Sequence, residues 1–134
     1  APPEVASPLH LRVQLIQNKG DRQQRRVQSR KQSKKEIPLI CSRCSAAITE
    51  NRQRIRVNGQ HEHAFFNPAG MAFEIRCFRQ AAGCLIQGKP TSQFSWFIDY
   101  RWQYATCSTC LAQLGWFFRS GQDSFFGLMT NKVI

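Results

Sequence analysis

The sequence predicts an all-β fold built from antiparallel meanders, and three observations point to it. Aromatic and branched residues gather in runs of four to seven: RIRV (54–57), HAFF (63–66), AFEIRCF (72–78), CLIQG (84–88), FSWF (94–97), YRWQYAT (100–106), GWFF (115–118) and FFGLM (125–129). Such residues suit a pleated, half-buried surface. The runs are bounded by NG, NPAG, GKP and SGQD, which punctuate strands with turns. No stretch of eleven or more residues repeats its apolar positions at the helical period, so helix is confined to one turn at LAQL (111–114).

The chain divides by composition. Residues 1–40 hold no Phe, Trp or Tyr, whereas all fifteen aromatics lie between Phe65 and Phe126. A segment without aromatics buries little, and this one carries nine Lys or Arg against three Asp or Glu, in runs such as DRQQRR and SRKQSKK. It is expected to be a disordered basic tail or linker, with the globular domain over 41–134. The domain has ten basic and five acidic residues, so it supplies +5 of the net +11. A basic tail attracts nucleic acid by counterion release, but a solvated tail is the commoner case, and nucleic-acid binding is not the expected role. No apolar run approaches the ~18 residues of a membrane span, and PLHLRVQLI is too short and interrupted for a secretory core. A cytoplasmic location is expected, without a membrane partner.

The cysteines carry the strongest chemistry. Of six, four form two C-x-x-C pairs, CSRC (Cys41, Cys44) and CSTC (Cys107, Cys110), with 62 residues between the pairs. A two-residue gap lets both sulfurs of a turn face one point, and two such knuckles make a tetrahedral S4 site suited to Zn2+. Four thiolates leave no open position for water or substrate, so one structural zinc is expected. A secreted disulfide framework fits this spacing poorly, and a thioredoxin-like motif needs only one pair beside a βαβ unit. Cys77 and Cys84 flank what reads as a hairpin connection; they are expected to be small buried hydrophobes whose thiols could meet across it. His61 and His63 of HEH alternate like strand residues, and with the tetrad complete they read as strand positions rather than ligands.

Trp96, Trp102 and Trp116 fall within 21 residues, around the second knuckle. Tryptophan is seldom buried completely because its indole N–H needs a partner, so three together mark either a core or the walls of a pocket. Asn67, Ser92 and Ser95 add polar groups nearby, and the NP and GKP turns add rigid backbone, which favours the pocket.

From Cys41 to about Val133 the chain closely resembles the cereblon-type thalidomide-binding domain, or CULT domain, and looks most like its bacterial single-domain members. CSRC, HEHAFFNPAG, FSWF followed by YRW, CSTCLAQLGW and FFGL carry the resemblance, in that order. It implies a β-tent of two antiparallel sheets pinned by one zinc on Cys41, Cys44, Cys107 and Cys110. It also implies a cage of Trp96, Trp102 and Trp116 that accepts a cyclic imide such as the glutarimide ring of thalidomide. By the same resemblance the Phe94 backbone C=O accepts the imide N–H and Trp96 N–H donates to a ring carbonyl. Ser95 lies between them, Phe118 closes the floor, and Asn67 is the asparagine of the NP turn.

Some positions depart from the family pattern. Phe94 stands where many members have histidine, which removes one side-chain hydrogen bond, worth ~1 kcal/mol. Ile98 and Asp99 replace a Pro-Gly turn, so the loop that carries Trp102 is expected to be placed or ordered differently; Asp99 also adds a negative charge near the cage mouth. Ala69 leaves one wall smaller than the histidine of vertebrate members.

A non-catalytic module is therefore expected, binding cyclic imides or protein C-termini that have cyclised to them. The competing binding function is an aromatic cage for quaternary ammonium compounds or nucleosides. B-type methionine sulfoxide reductases share the zinc-pinned β-tent, but their nucleophilic cysteine lies in a late strand, and no cysteine follows Cys110. Neither a Ser-His-Asp set nor paired carboxylates stand in a shared motif. Nothing in the sequence matches the parts that make cereblon a ligase receptor.

Overall fold

The computed structural model describes residues 37–134. Nearly all regular structure there is strand: β1 (Leu39–Ile40), β2 (Ala47–Thr49), β3 (Glu62–Phe66), β4 (Ala72–Phe78), β5 (Cys84–Thr91), β6 (Arg101–Cys107), β7 (Gln113–Ser120) and β8 (Asp123–Met129), with a 3-10 turn at Asn51–Gln53. β1 and β2 form a small antiparallel sheet, and the others form a six-stranded antiparallel sheet in the order β3-β4-β8-β7-β6-β5. The all-β expectation of two antiparallel sheets holds. No described helix is long and apolar enough to cross a membrane.

The six-stranded sheet has a core on each face. On one, Phe78, Cys84, Ala105, Cys107, Phe117, Phe126 and Leu128 pack against Leu39, Cys41 and Ile48 of the small-sheet region. On the other, Ile75, Cys77, Phe118, Phe125 and Met129 pack against Phe97 and the half-buried tryptophans. Alternation along β4 and β8 sends successive side chains to opposite faces, and β8 is the strand most completely covered on both. β6 and β7 break step once: Ala105 faces Gly115, but Thr106 faces Gln113, which skips Leu114. That bulge sends Leu114 into the first core, while Trp116 and Phe118 stay with the second.

Several expected elements differ. Most of the basic tail, 1–36, lies outside the described residues, but Leu39 and Ile40, assigned by composition to that tail, form β1, and Ile40 exchanges backbone hydrogen bonds with Ile134. FSWF is a loop rather than a strand, because Phe94 takes φ 57° and the Ser95 N–H bonds back to the Ser92 C=O. RIRV makes only isolated bridges at its ends and straps across the sheet edge. LAQL is not a helical turn: Leu111 takes φ 63° and β7 begins at Gln113. Cys77 and Cys84 do not flank a hairpin, since β4 pairs with β3 and β8 while β5 pairs with β6. The two thiols sit in different cores and cannot meet.

Candidate functional site

The two knuckles repeat one geometry. In CSRCSA the Cys41 N–H donates to the Ala46 C=O (2.9 Å) and the Ser45 N–H to the Cys41 C=O (2.8 Å). In CSTCLA the Cys107 N–H donates to the Ala112 C=O and the Leu111 N–H to the Cys107 C=O, both at 2.8 Å. Ser45 and Leu111, each directly after the second cysteine, take left-handed φ of 65° and 63°. That backbone reversal lets both sulfurs of a knuckle face inward, and backbone N–H groups of Arg43 and Thr109 point at the Cys41 and Cys107 sulfurs, each at 3.4 Å.

The four sulfurs lie within 4.8 Å of one another, with Cys41 to Cys110 at 3.8 Å and Cys44 to Cys107 at 3.6 Å. A tetrahedral ion with bonds of ~2.3 Å needs sulfurs about 3.8 Å apart, so the cluster fits one such ion. The thiol chemistry agrees. Burial alone would push Cys41 up, yet the N–H groups of Cys44 and Arg43 reverse this and hold it at about 7. The Ala46 N–H favours a Cys44 thiolate, but burial and the neighbouring sulfurs outweigh it and push Cys44 to about 11. Four thiolates this close repel one another, and a bound dication removes that conflict. Cys77 and Cys84 lie outside the cluster, and burial pushes Cys77 up to about 12 and Cys84 higher, which makes both poor nucleophiles.

The tryptophans converge on the other face. A cavity of about 380 Å³ is lined by Asn67, Phe94, Trp96, Trp102, Trp116 and Phe118 together with Pro68, Phe73, Tyr104 and Gln113. Trp96 and Trp116 meet edge to face at 4.7 Å, Phe73 meets Trp116 at 5.3 Å, and Phe65 stacks behind Trp96 at 4.9 Å. Trp102 meets Tyr104 at 5.2 Å on the other side. Phe118 is 1% exposed and forms the floor, where its cross-strand partner is Trp102.

Hydrogen bonds fix the walls. The Trp96 indole N–H donates to the Phe66 C=O (3.0 Å) and the Trp102 indole N–H to the Gln93 C=O (2.8 Å). The indole of Trp96 is therefore committed to the protein, and only its backbone N–H remains for a ligand. Among the described residues neither that N–H nor the Phe94 C=O has a protein partner. Phe94 is 66% exposed at left-handed φ, which costs a bulky residue about 1–2 kcal/mol. Asn67 Oδ1 accepts from the Ala69 and Met71 N–H groups (3.0 and 2.9 Å), so the asparagine also staples its own turn. The Ser95 hydroxyl instead donates to the Phe97 C=O (3.1 Å), and Ser95 does not line the cavity. Ala69 and Asp99 do not line it either.

The loop at Ile98–Asp99 keeps a tight turn. The Tyr100 N–H donates to the Phe97 C=O (3.1 Å), and Asp99 alone of the two central residues takes positive φ, at 69°. That is a type II pattern, the turn a Pro-Gly pair makes, with aspartate in the glycine position. Phe97, 2% exposed, anchors the loop among Phe65, Phe118 and Phe125, and the Tyr100 hydroxyl donates to Asp123, itself paired with Arg79.

The lining residues that sequence reasoning missed are Pro68, Phe73, Tyr104 and Gln113. Phe73 and Tyr104 carried a signal, since each lies two residues from a position on the same sheet face, Ile75 and Trp102. Gln113 carried none, because the bulge at Leu114 sets where it falls.

No family model matches the chain. It is similar to the cereblon protein of Danio rerio, 28% identical over 110 residues that make up 71% of this chain and 26% of that protein. It is also similar to those of Drosophila willistoni, 39% identical over 78 residues (52% and 12%), and Gallus gallus, 29% identical over 76 residues (53% and 17%). The chain spans about a quarter or less of the length of these relatives.

Proposed function

We propose, from the premise that the described residues form a cereblon-like domain, that this is a non-catalytic ligand-binding module whose aromatic cage takes cyclic imides. The observation that carries the proposal is the meeting of Trp96, Trp102 and Trp116 around one cavity, beside a carbonyl and an N–H, two residues apart, that have no partner among the described residues. An imide presents an acceptor, donor, acceptor edge, which such a backbone pair complements while the methylene edge enters the apolar cage. Glutarimide has eight non-hydrogen atoms, so its affinity cannot exceed about 12 kcal/mol, and micromolar binding is the expected range.

The cage lining has no Asp, Glu, His, Cys, Lys or Arg, so it offers aromatic faces and hydrogen bonds rather than an acid–base pair. The lack of a lining carboxylate also weighs against quaternary ammonium compounds as the preferred ligand, although three indole faces attract cations. On this reading the cysteine tetrad holds one zinc, which supplies folding free energy and no chemistry to the ligand. A cytoplasmic setting and a cyclised protein C-terminus as ligand belong to the same proposal.

Titration of the full chain with glutarimide, followed by tryptophan emission, tests it. Emission should change with a midpoint in the micromolar range, and Trp102→Ala should weaken binding at least tenfold. Unchanged emission in the wild type sinks the proposal, and displacement of the imide by micromolar choline would favour the cation cage.

A further inference from the structure

A second cavity, of about 770 Å³, opens beside the cage at the end of β8 and shares Phe73 and Gln113 with it. The sheet explains the gap. β8 ends at Met129, whose partner is Ile75, and the Thr130 N–H then turns onto the Glu74 C=O. Its neighbours continue further, β4 back to Ala72 and β7 back to Gln113, so a groove opens where the central strand has stopped.

Two cations line this groove, Arg43 and Lys132. Arg43 belongs to the first knuckle, where its N–H faces the Cys41 sulfur, and the adjacent Ser42 N–H donates to the Lys132 C=O at 2.9 Å. The backbones that bear the two charges are thereby fastened together. Glu74 also lines the groove, but neither cation is ion-paired with it within the described residues. The charged lining is thus two positive against one negative, within a domain that is itself basic.

We propose that this groove is a second subsite of the cage, which takes a carboxylate-bearing substituent of the imide ligand. The inference rests on the imide reading of the cage: with the ring held there, a substituent passing Phe73 and Gln113 brings its acid to Arg43 and Lys132. Thr130, Asn131 and Gln113 give the chain polar groups along the way. The groove then decides which imides bind well, while the cage decides that an imide binds at all.

Three probes test it against the full chain at low salt: unsubstituted glutarimide, and glutarimides whose flexible chains, in a series of lengths, end in carboxylate or in carboxamide. At the best length the carboxylate probe should bind about three- to tenfold more tightly than its carboxamide twin. High salt should shrink that advantage. The double variant Arg43→Gln/Lys132→Gln should abolish it yet bind the unsubstituted ring as the wild type does, which also reports that it is folded. Glu74→Gln should widen it. Equal affinity of the two extended probes for the wild type, with the bare ring still bound, overturns the groove and leaves the cage standing. No binding of the bare ring overturns the cage first.

Discussion

The two faces of the six-stranded sheet are held together by different means. On one, the packing of Leu39, Ile48, Phe78 and Leu128 ends in a cluster of four sulfurs that fits one ion. On the other, the walls are aromatic and their fixed points are side-chain hydrogen bonds to carbonyls: Trp96 to Phe66, Trp102 to Gln93, and His63 to Val57. Coordination confines four residues regardless of what surrounds them, whereas an indole held by one bond and a few edge contacts can adjust to a guest. β6 joins the two, since it begins beside Trp102 and ends at Cys107. With an ion held by the four sulfurs, the first face would be the rigid one and would position the second.

The largest test of that dependence is to deny the sulfur cluster an ion. A structural zinc contributes on the order of 10 kcal/mol to folding, so a strong chelator or Cys107→Ser should unfold the domain or lower its melting temperature by tens of degrees, read by circular dichroism. Imide binding should go with it. A domain that still binds imide after metal removal would mean that the aromatic face stands alone.

A smaller change reaches the cage from beneath. Gly127 pairs with Trp116, and a Cβ there would lie 2.8 Å from Ile75 Cδ1 and 3.0 Å from Phe118 Cε2. Gly127→Ala should cost about 1–3 kcal/mol in denaturant melts and weaken the imide by displacing the Phe118 floor. Lost stability with unaltered affinity would show that the floor does not transmit strain.

The loop offers a change of the opposite sign. Asp99 occupies a position where glycine carries no Cβ penalty, so Asp99→Gly should stabilise by about 0.5–1 kcal/mol and leave binding intact. A loss of stability would mean that the aspartate has a partner worth more than its strain.

The smallest effect concerns pH. His61 packs on Phe78, and its Nδ1 lies 3.0 Å from the Ile55 C=O, while its buried Nε2 has no partner among the described residues. Burial lowers its pKa below the usual 6.5, with Arg54 and Arg76 adding to the effect. The unfolded chain then takes up the proton first, so His61 favours the fold above about pH 6.5 and that contribution fades as pH falls through the lowered folded value. His61→Gln should flatten the pH dependence of stability between pH 7 and 5 without touching the cage. An equally steep dependence in the variant would assign it to another group.

Much of this was legible in the residues. C-x-x-C twice, with no fifth ligand of equal spacing, named the tetrad because two-residue knuckles leave the sulfurs few other arrangements. Strand type was legible wherever aromatic and branched residues ran uninterrupted, and it failed at FSWF, where the same composition serves a loop. Composition reports a wish for burial, and a loop folded over a core satisfies it as well as a strand does. The resemblance points to the cage tryptophans, Phe94, Asn67 and Phe118, all of which line the cavity, and to Ser95, whose hydroxyl turns instead to the Phe97 carbonyl.

What the sequence determined by itself was local: the knuckles, the strand-rich class and the aromatic content, all of which depend on residues a few positions apart. Tertiary structure alone decided the strand order, which parts Cys77 from Cys84, and the bulge that brings Gln113 to the cavity. It also decided that Asp99 can stand in for glycine, with Phe97 buried on one side and Tyr100 tied to Asp123 on the other. The physical reason is the same in each case: pairing partners and packing depth are set by contacts between distant parts of the chain, and these can outweigh the preference of any single residue.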